Sequence, residues 1–368
     1  MKNYADSINR PEMRIIMNKK IISLYSIIHF IVDLACAILV THFVTKQLGN
    51  TINLFIAILL YNFFAFAIQL PIGIIADFVN KNAICSSIGC ILVALAFGLN
   101  QYGIIACIIA GIGNAMFHVG GGIDVLNISD KKAFFSGIYV STGALGIFLG
   151  SNPSLLKFNL LSIMVFIIIL LLFSSILLCI LYCYIKNKVI NKKPIIPSIH
   201  INEYIVIISL IITVCIRSYI GLILSFQWKN NFILALLTII AVILGKMLGG
   251  FIGDIIGFTK ISIISLTVSS ICFIFAFNNP FFGILAILFF NMTMPITLTA
   301  LSNILDNNRG MAFGLLTLAL FIGGFPVYFG YNKLIFTPIG LFITTLISAI
   351  ILYIGLHKYS RYMEATND

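Results

Sequence analysis

Charge is scarce in this chain: Asp, Glu, Lys and Arg together supply 9% of its residues, against about 25% in soluble globular domains. A soluble globular class is excluded, and 61% hydrophobic residues with a mean hydropathy of +1.12 leave a polytopic membrane protein. The short polar/apolar alternation of a membrane β-barrel is missing too, since the apolar runs are continuous. No Gly-x-x-x-x-Gly-Lys-Ser/Thr loop occurs, so ATP is not expected to drive the protein directly. None of the eight cysteines (Cys36, Cys85, Cys90, Cys107, Cys179, Cys183, Cys215, Cys272) forms a Cys-x-x-Cys pair, and all lie in apolar runs, which points to packing. No cluster with metal-ligand spacing and no nucleophile–base arrangement is visible, so neither a metal, a cofactor nor an enzymatic activity is expected. The net charge of +11 is spread over loops and ends, with no aromatic-laced basic domain for nucleic acid.

What is present is a series of long apolar runs. At about 20 residues per crossing, they predict helices near 21–43, 53–76, 83–99, 102–126, 133–150 and 159–184, then 204–226, 232–253, 261–277, 281–305, 310–330 and 336–356. The expected fold is all-α and integral to the membrane, with twelve transmembrane helices in two six-helix bundles. Residues 1–184 form the first and 204–368 the second. Residues 185–203, with four lysines and two prolines, form the linker. The first run follows Lys19 and Lys20 but is too long for a signal peptide and ends at no cleavage site, so it reads as a retained helix. The side shared by both termini carries 16 Lys and Arg, the other side 4. The positive-inside rule therefore predicts cytoplasmic termini in the cell membrane.

Polar residues inside such runs are the candidates for function, because an ionisable group in hydrocarbon is costly and faces a cavity or pathway. His29 and Asp33 are one turn apart near the middle of the first helix, with Tyr25 a turn earlier on the same stripe. His118 and Asn114 share a face of the fourth helix at a similar depth. Arg217 in the seventh helix lies at the level of Asp33, and Lys246 lies in the eighth. Asn62, Gln69 and Asn291 could offer further polar contacts to solute, and Asn291 sits close to Thr293, Pro295 and Thr297. Asp124 is expected at the cytoplasmic mouth, solvated or capping. Asp33, His29 and His118 are the expected proton-coupling groups, since a buried carboxylate and histidines can load and release a proton. Whether Asp33 and Arg217 pair is open.

The loop after the second helix reads GIIADFVNKN, with Gly73, Asp77 and Lys81. The loop after the eighth reads GFIGDIIGFTK, with Gly250, Asp254 and Lys260. A Gly-x-x-x-Asp at the same end of the second helix of each half suggests a cytoplasmic gate: the glycine admits a neighbouring helix, and the carboxylate can cap a helix N-terminus or pair with a base. This duplicated loop resembles that of the major facilitator superfamily over almost the whole chain, although Phe78 and Ile255 stand where the family usually has a basic residue. His29 with Asp33, GIGNAMFHVGGG ending in Phe117-His118, and GIYVSTGALGIFLGS resemble the fosmidomycin-resistance type of exporter, with Val119 in place of that type's usual proline. The resemblance implies a monomeric secondary transporter that rocks two bundles around a midplane site and exports a small solute by proton antiport. The buried bases suggest that the solute is anionic. A proton-coupled importer of an organic anion and a non-transporting membrane sensor are the alternatives.

Overall fold

The computed structural model describes residues 11–152, 159–185, 201–331 and 335–367. Most of the linker, the first ten residues, Lys157 and Lys333 lie outside them. Helix α1 runs Pro11–Ile38, widens into a π-helical turn at Leu39–Val44 and ends with Thr45–Leu48. Helix α2 is Ile52–Asn62 and Gln69–Val79, joined through a π-helical turn at Phe63–Ala67. Then come α3 (Asn82–Gly98), α4 (Gly103–Ile128), α5 (Ala133–Ser151) and α6 (Leu160–Ile185). The second half has α7 (Ile201–Ile223), α8 (Phe232–Ile256) and α9 (Phe258–Phe275). It continues with α10 (Pro280–Asn291 and Thr293–Ile304), α11 (Arg309–Tyr328) and α12 (Pro338–Asn367).

Eleven of these helices are long and apolar enough to cross a membrane, and α3 is an apolar helix of 17 residues. The protein is a multi-pass membrane protein. Two ends differ from expectation. The polar lead is helical from Pro11, which suits a first-turn proline, and no Gly or Pro interrupts the chain before Gly49, where φ is +59°. The last helix likewise runs past residue 356 to Asn367, with no breaker after Gly355.

Packing repeats with a shift of six helices. Helix α1 lies on α5 as α7 lies on α11, and α3 contacts α4 and α6 as α9 contacts α10 and α12. Two seams join the halves, α2 against α11 and α5 against α8. Each seam thus pairs the second helix of one half with the fifth of the other. The outer faces stay apolar: Leu161, Phe166, Ile169, Phe173, Ile176 and Ile180 of α6 are exposed, as a lipid-facing helix requires. Polar side chains turn inward, and the most concentrated group lies among α1, α4 and α5.

Candidate functional site

Helix α1 presents His29 and Asp33 one turn apart, and α4 brings His118 onto them. His29 Nε2 is 3.2 Å from Asp33 Oδ2, His118 Nε2 is 3.5 Å from Asp33 Oδ1, and the two Nε2 atoms are 2.8 Å apart. His29 and Asp33 are buried at 4% and 7% exposure. The other ring nitrogens determine the tautomers. His29 Nδ1 lies 2.7 Å from the carbonyl of Tyr139 and His118 Nδ1 lies 2.8 Å from that of Asn114. A carbonyl only accepts, so both Nδ1 atoms carry hydrogen and donate, and in the neutral rings both Nε2 atoms are bare lone pairs. Two lone pairs and a carboxylate therefore converge on one small volume. Asn114 Nδ2 donates to Asp33 Oδ1 at 3.1 Å and fixes the carboxylate.

Helix α5 closes this centre from the side. A Cβ on Gly143 would come within 2.1 Å of Asp33 Oδ2 and 2.5 Å of His29 Nε2, so this arrangement of the two side chains requires glycine there. The neighbouring carbonyl on α5 serves the other half: Lys246 Nζ donates to Val140 at 2.9 Å, across the α5–α8 seam. Lys246 is buried and within electrostatic range of both Arg217 and Asp33. Arg217 is buried with its guanidinium 5.8 Å from the Phe290 ring centroid, and its Nε has no hydrogen-bond partner. Among the described residues no ion pair joins Asp33 to Arg217. Neither buried cation has an ion pair with a carboxylate among the described residues.

The remaining sequence candidates divide. Asn62 Nδ2 donates to Ile58 O and Asn291 Nδ2 to Ile287 O, each one turn back on its own helix, and Gln69 Nε2 bonds Ala65 O in the same way. The π-helical turn between Asn62 and Gln69 also breaks the register that would have aligned them. Tyr25 is fully buried and donates its hydroxyl to Asp124 Oδ2 at 2.6 Å, while Asn82 Nδ2 donates to Asp124 Oδ1 at 2.8 Å. Asp124 is therefore neither solvated nor a helix cap, a correction to the sequence reading. The sequence missed Tyr139 and Val140, which act through backbone carbonyls, and read Gly143 only as one of the close-packing glycines of the fifth helix.

At the face carrying the chain ends, the duplicated loops meet the opposite half. Asp77 accepts from Gly310 N at 2.7 Å and Met311 N at 2.9 Å, and Asp254 accepts from Ala133 N at 2.7 Å and Phe134 N at 2.9 Å. Each carboxylate thus caps the first turn of the fifth helix across its seam. Gly73 and Gly250 allow the approach, since a Cβ would lie 2.1 Å from Gly310 O and 2.4 Å from Ala133 O. Lys81 and Lys260 are exposed. The bases within electrostatic reach are instead Arg309 beside Asp77 and Lys132 beside Asp254, each at the start of the capped helix. Arg309 also bonds the Leu126 carbonyl and Asn127 Oδ1, while Ser136 Oγ meets Thr299 Oγ1 at 2.9 Å and Asn303 donates to Lys131 O at 3.2 Å. These bonds between the halves lie at the terminal face.

The arrangement has the fold of the major facilitator superfamily transporters. The human organic anion transporter MFSD10 (TETRAN) superposes with a TM-score of 0.65 at 11% identity, covering 93% of this chain and 99% of that one. The E. coli fucose:proton symporter FucP gives 0.64 at 13% identity over 92% and 98% of the two chains, and a bacterial homologue of the iron transporter ferroportin in an outward-facing state gives 0.64 at 12% over 93% and 99%. No protein-family model and no curated protein sequence matches the chain.

Proposed function

We propose that this protein is a monomeric secondary transporter that exports a small organic anion across the cell membrane in exchange for protons, by rocking residues 1–184 against residues 204–368. The observation that carries the proton part is the pair of facing Nε2 lone pairs of His29 and His118 beside Asp33. A proton placed between the rings makes a charge-assisted hydrogen bond and is neutralised by the carboxylate. Arg217 and Lys246 support the anion, since each is buried with no carboxylate partner among the described residues and a carboxylate or phosphonate of the solute supplies one. With cytoplasmic termini, as the basic-residue count implies, the bonded terminal face corresponds to an outward-facing state. Solute and proton then bias the two states through their different affinities for each.

The test begins with a thermal-shift screen of purified protein against small carboxylates and phosphonates, because a specific ligand raises apparent stability. A hit is then followed in proteoliposomes under a pH gradient of either sign. Asp33→Asn is expected to bind the hit but to lose its gradient-driven accumulation, and full accumulation by that variant overturns the reading. Import under a gradient that drives symport supports the second reading, a proton-coupled importer, which uses the same bases for the same anion.

A further inference from the structure

We propose that the His29–Asp33–His118 centre binds a divalent transition-metal ion of the zinc, cobalt or nickel class, through Nε2 of both histidines and a carboxylate oxygen. The inference deepens the proton reading and shares its side chains, but it rests on donor geometry and not on proton transport. The ligand atoms lie within 4.8 Å of one another. A proton bridges two atoms, whereas here three donors converge. The two Nε2 atoms are 2.8 Å apart, and the carboxylate spans them, with Oδ2 3.2 Å from His29 Nε2 and Oδ1 3.5 Å from His118 Nε2, close to the ~3.0 Å (90°) to ~3.4 Å (tetrahedral) expected of ligands held about 2.1 Å from one ion.

The surroundings are those of a ligating set. Both imidazoles donate Nδ1–H to a backbone carbonyl, of Tyr139 and Asn114, which presents Nε2 as the free donor and holds each ring in place. Asn114 Nδ2 orients the carboxylate in the same outer layer. Two imidazoles and one carboxylate suit zinc, cobalt or nickel, whereas calcium and magnesium require oxygen-rich sites. Lys246 Nζ donates to the Val140 carbonyl, so its amine is not in the donor set. The His118 side chain keeps 14% exposure, so the centre is not sealed at that ring.

Titration of the full-length protein in detergent with Co²⁺ tests this directly. One equivalent is expected to develop ligand-field bands in the visible, and Zn²⁺ to remove them. His118→Gln and Asp33→Asn are each expected to weaken Co²⁺ binding at least about tenfold, the lower end of what losing even an outer-layer partner does. His42→Gln, whose ring bonds the Gly150 carbonyl elsewhere on α1, is expected to leave the bands unchanged. X-ray absorption of the wild-type complex counts the imidazoles without any variant, and two are expected. Absent bands, fewer than two imidazoles, or wild-type affinity in folded His118→Gln and Asp33→Asn overturns the proposal. If chelator-treated protein still accumulates solute under a pH gradient while Co²⁺ fails to bind, the metal site alone falls. Co²⁺ binding without gradient-driven accumulation removes the proton reading and leaves the site.

Discussion

Asp77 stands to the first amides of α11 as Asp254 stands to the first amides of α5: each carboxylate accepts two backbone N–H groups, at 2.7 and 2.9 Å, from a helix of the other half. A carboxylate at a helix N-terminus answers both the unpaired amides and the positive end of the dipole, at about 0.5–2 kcal/mol per cap. The two caps are equivalent latches on one face. Asp77→Asn and Asp254→Asn should therefore each shift the balance toward opening of that face by roughly fivefold per kcal/mol lost, with nearly additive effects because the sites are on separate seams. Spin-label distances between α5 and α8 and between α2 and α11 would report it. An unchanged distribution in the double variant would show that the caps do not hold the closed state.

The glycines beside these caps set a steric condition on the same closure. At Gly73 an added Cβ would sit 2.1 Å from Gly310 O, a backbone atom that cannot turn away. Gly73→Ala should open the α2–α11 seam at the terminal face while leaving the packing within each half in place, since the clash exists only across the seam. Gly98→Ala, with nothing within 4 Å of its added Cβ, is the matched control. Accessibility of a single engineered thiol near Met311 distinguishes the two variants, and equal labelling rates would contradict the expectation.

Gly143 allows the polar centre to be disturbed without removing any of its titrating groups. Its added Cβ would meet Asp33 Oδ2 and His29 Nε2 at 2.1 and 2.5 Å. Gly143→Ala should push α5 from α1 or separate the carboxylate from the imidazole. The expected outcome is loss of pH-driven accumulation, at least tenfold, with insertion preserved. Retained activity would mean that contact between Asp33 and His29 is dispensable.

How legible these features were follows from their range in sequence. Apolar runs of about 20 residues and a motif repeated at the same helix of each half are local patterns, so the twelve helices and both aspartate loops could be read directly. His29 and Asp33 are i and i+4 on one helix and were equally plain. That His118 closes on them could be proposed only from matching depths, because helix packing decides which faces meet. The same limit hid the convergence of three metal-ligand types, absent from any one stretch of sequence. Asp124 was misplaced for a related reason: near a helix end it reads as wet, but Tyr25 and Asn82 arrive from α1 and α3 and enclose it. Lys81 and Lys260 were picked out as gate residues because they are near in sequence, whereas the approach of Arg309 to Asp77 and of Lys132 to Asp254 crosses from one half to the other and could not be read locally.

The Asp124 network carries a stability prediction. A buried carboxylate held by a tyrosine hydroxyl at 2.6 Å and an asparagine amide at 2.8 Å ties α1, α3 and α4 together. Asp124→Leu leaves both donors buried and unsatisfied, which costs about 1–3 kcal/mol for each. Asp124→Asn keeps the shape and one acceptor, so a smaller loss is expected. Thermal unfolding in detergent should rank wild type above Asn above Leu, and a Leu variant as stable as wild type would show that the network contributes nothing to packing.

Arg217 offers the sharpest separation of binding from folding. Its charge is buried, its Nε has no hydrogen-bond partner among the described residues, and its guanidinium lies 5.8 Å from the Phe290 ring centroid. An arginine serving only structure would be paired, and removing it would destabilise the protein through the partner left behind. Here no carboxylate among the described residues is left behind, so Arg217→Gln should cost little stability. It should weaken binding of an anionic solute by roughly 10- to 100-fold, the range of a lost charge-assisted hydrogen bond of about 1.5–3 kcal/mol. Arg217→Lys keeps the charge but not the planar fork, so it should recover part of the affinity for a carboxylate or phosphonate and none of its bidentate geometry. The two variants are compared by the thermal shift each solute produces. If Arg217→Gln unfolds the protein and Arg217→Lys restores stability without restoring binding, the residue is structural and the anion site lies elsewhere.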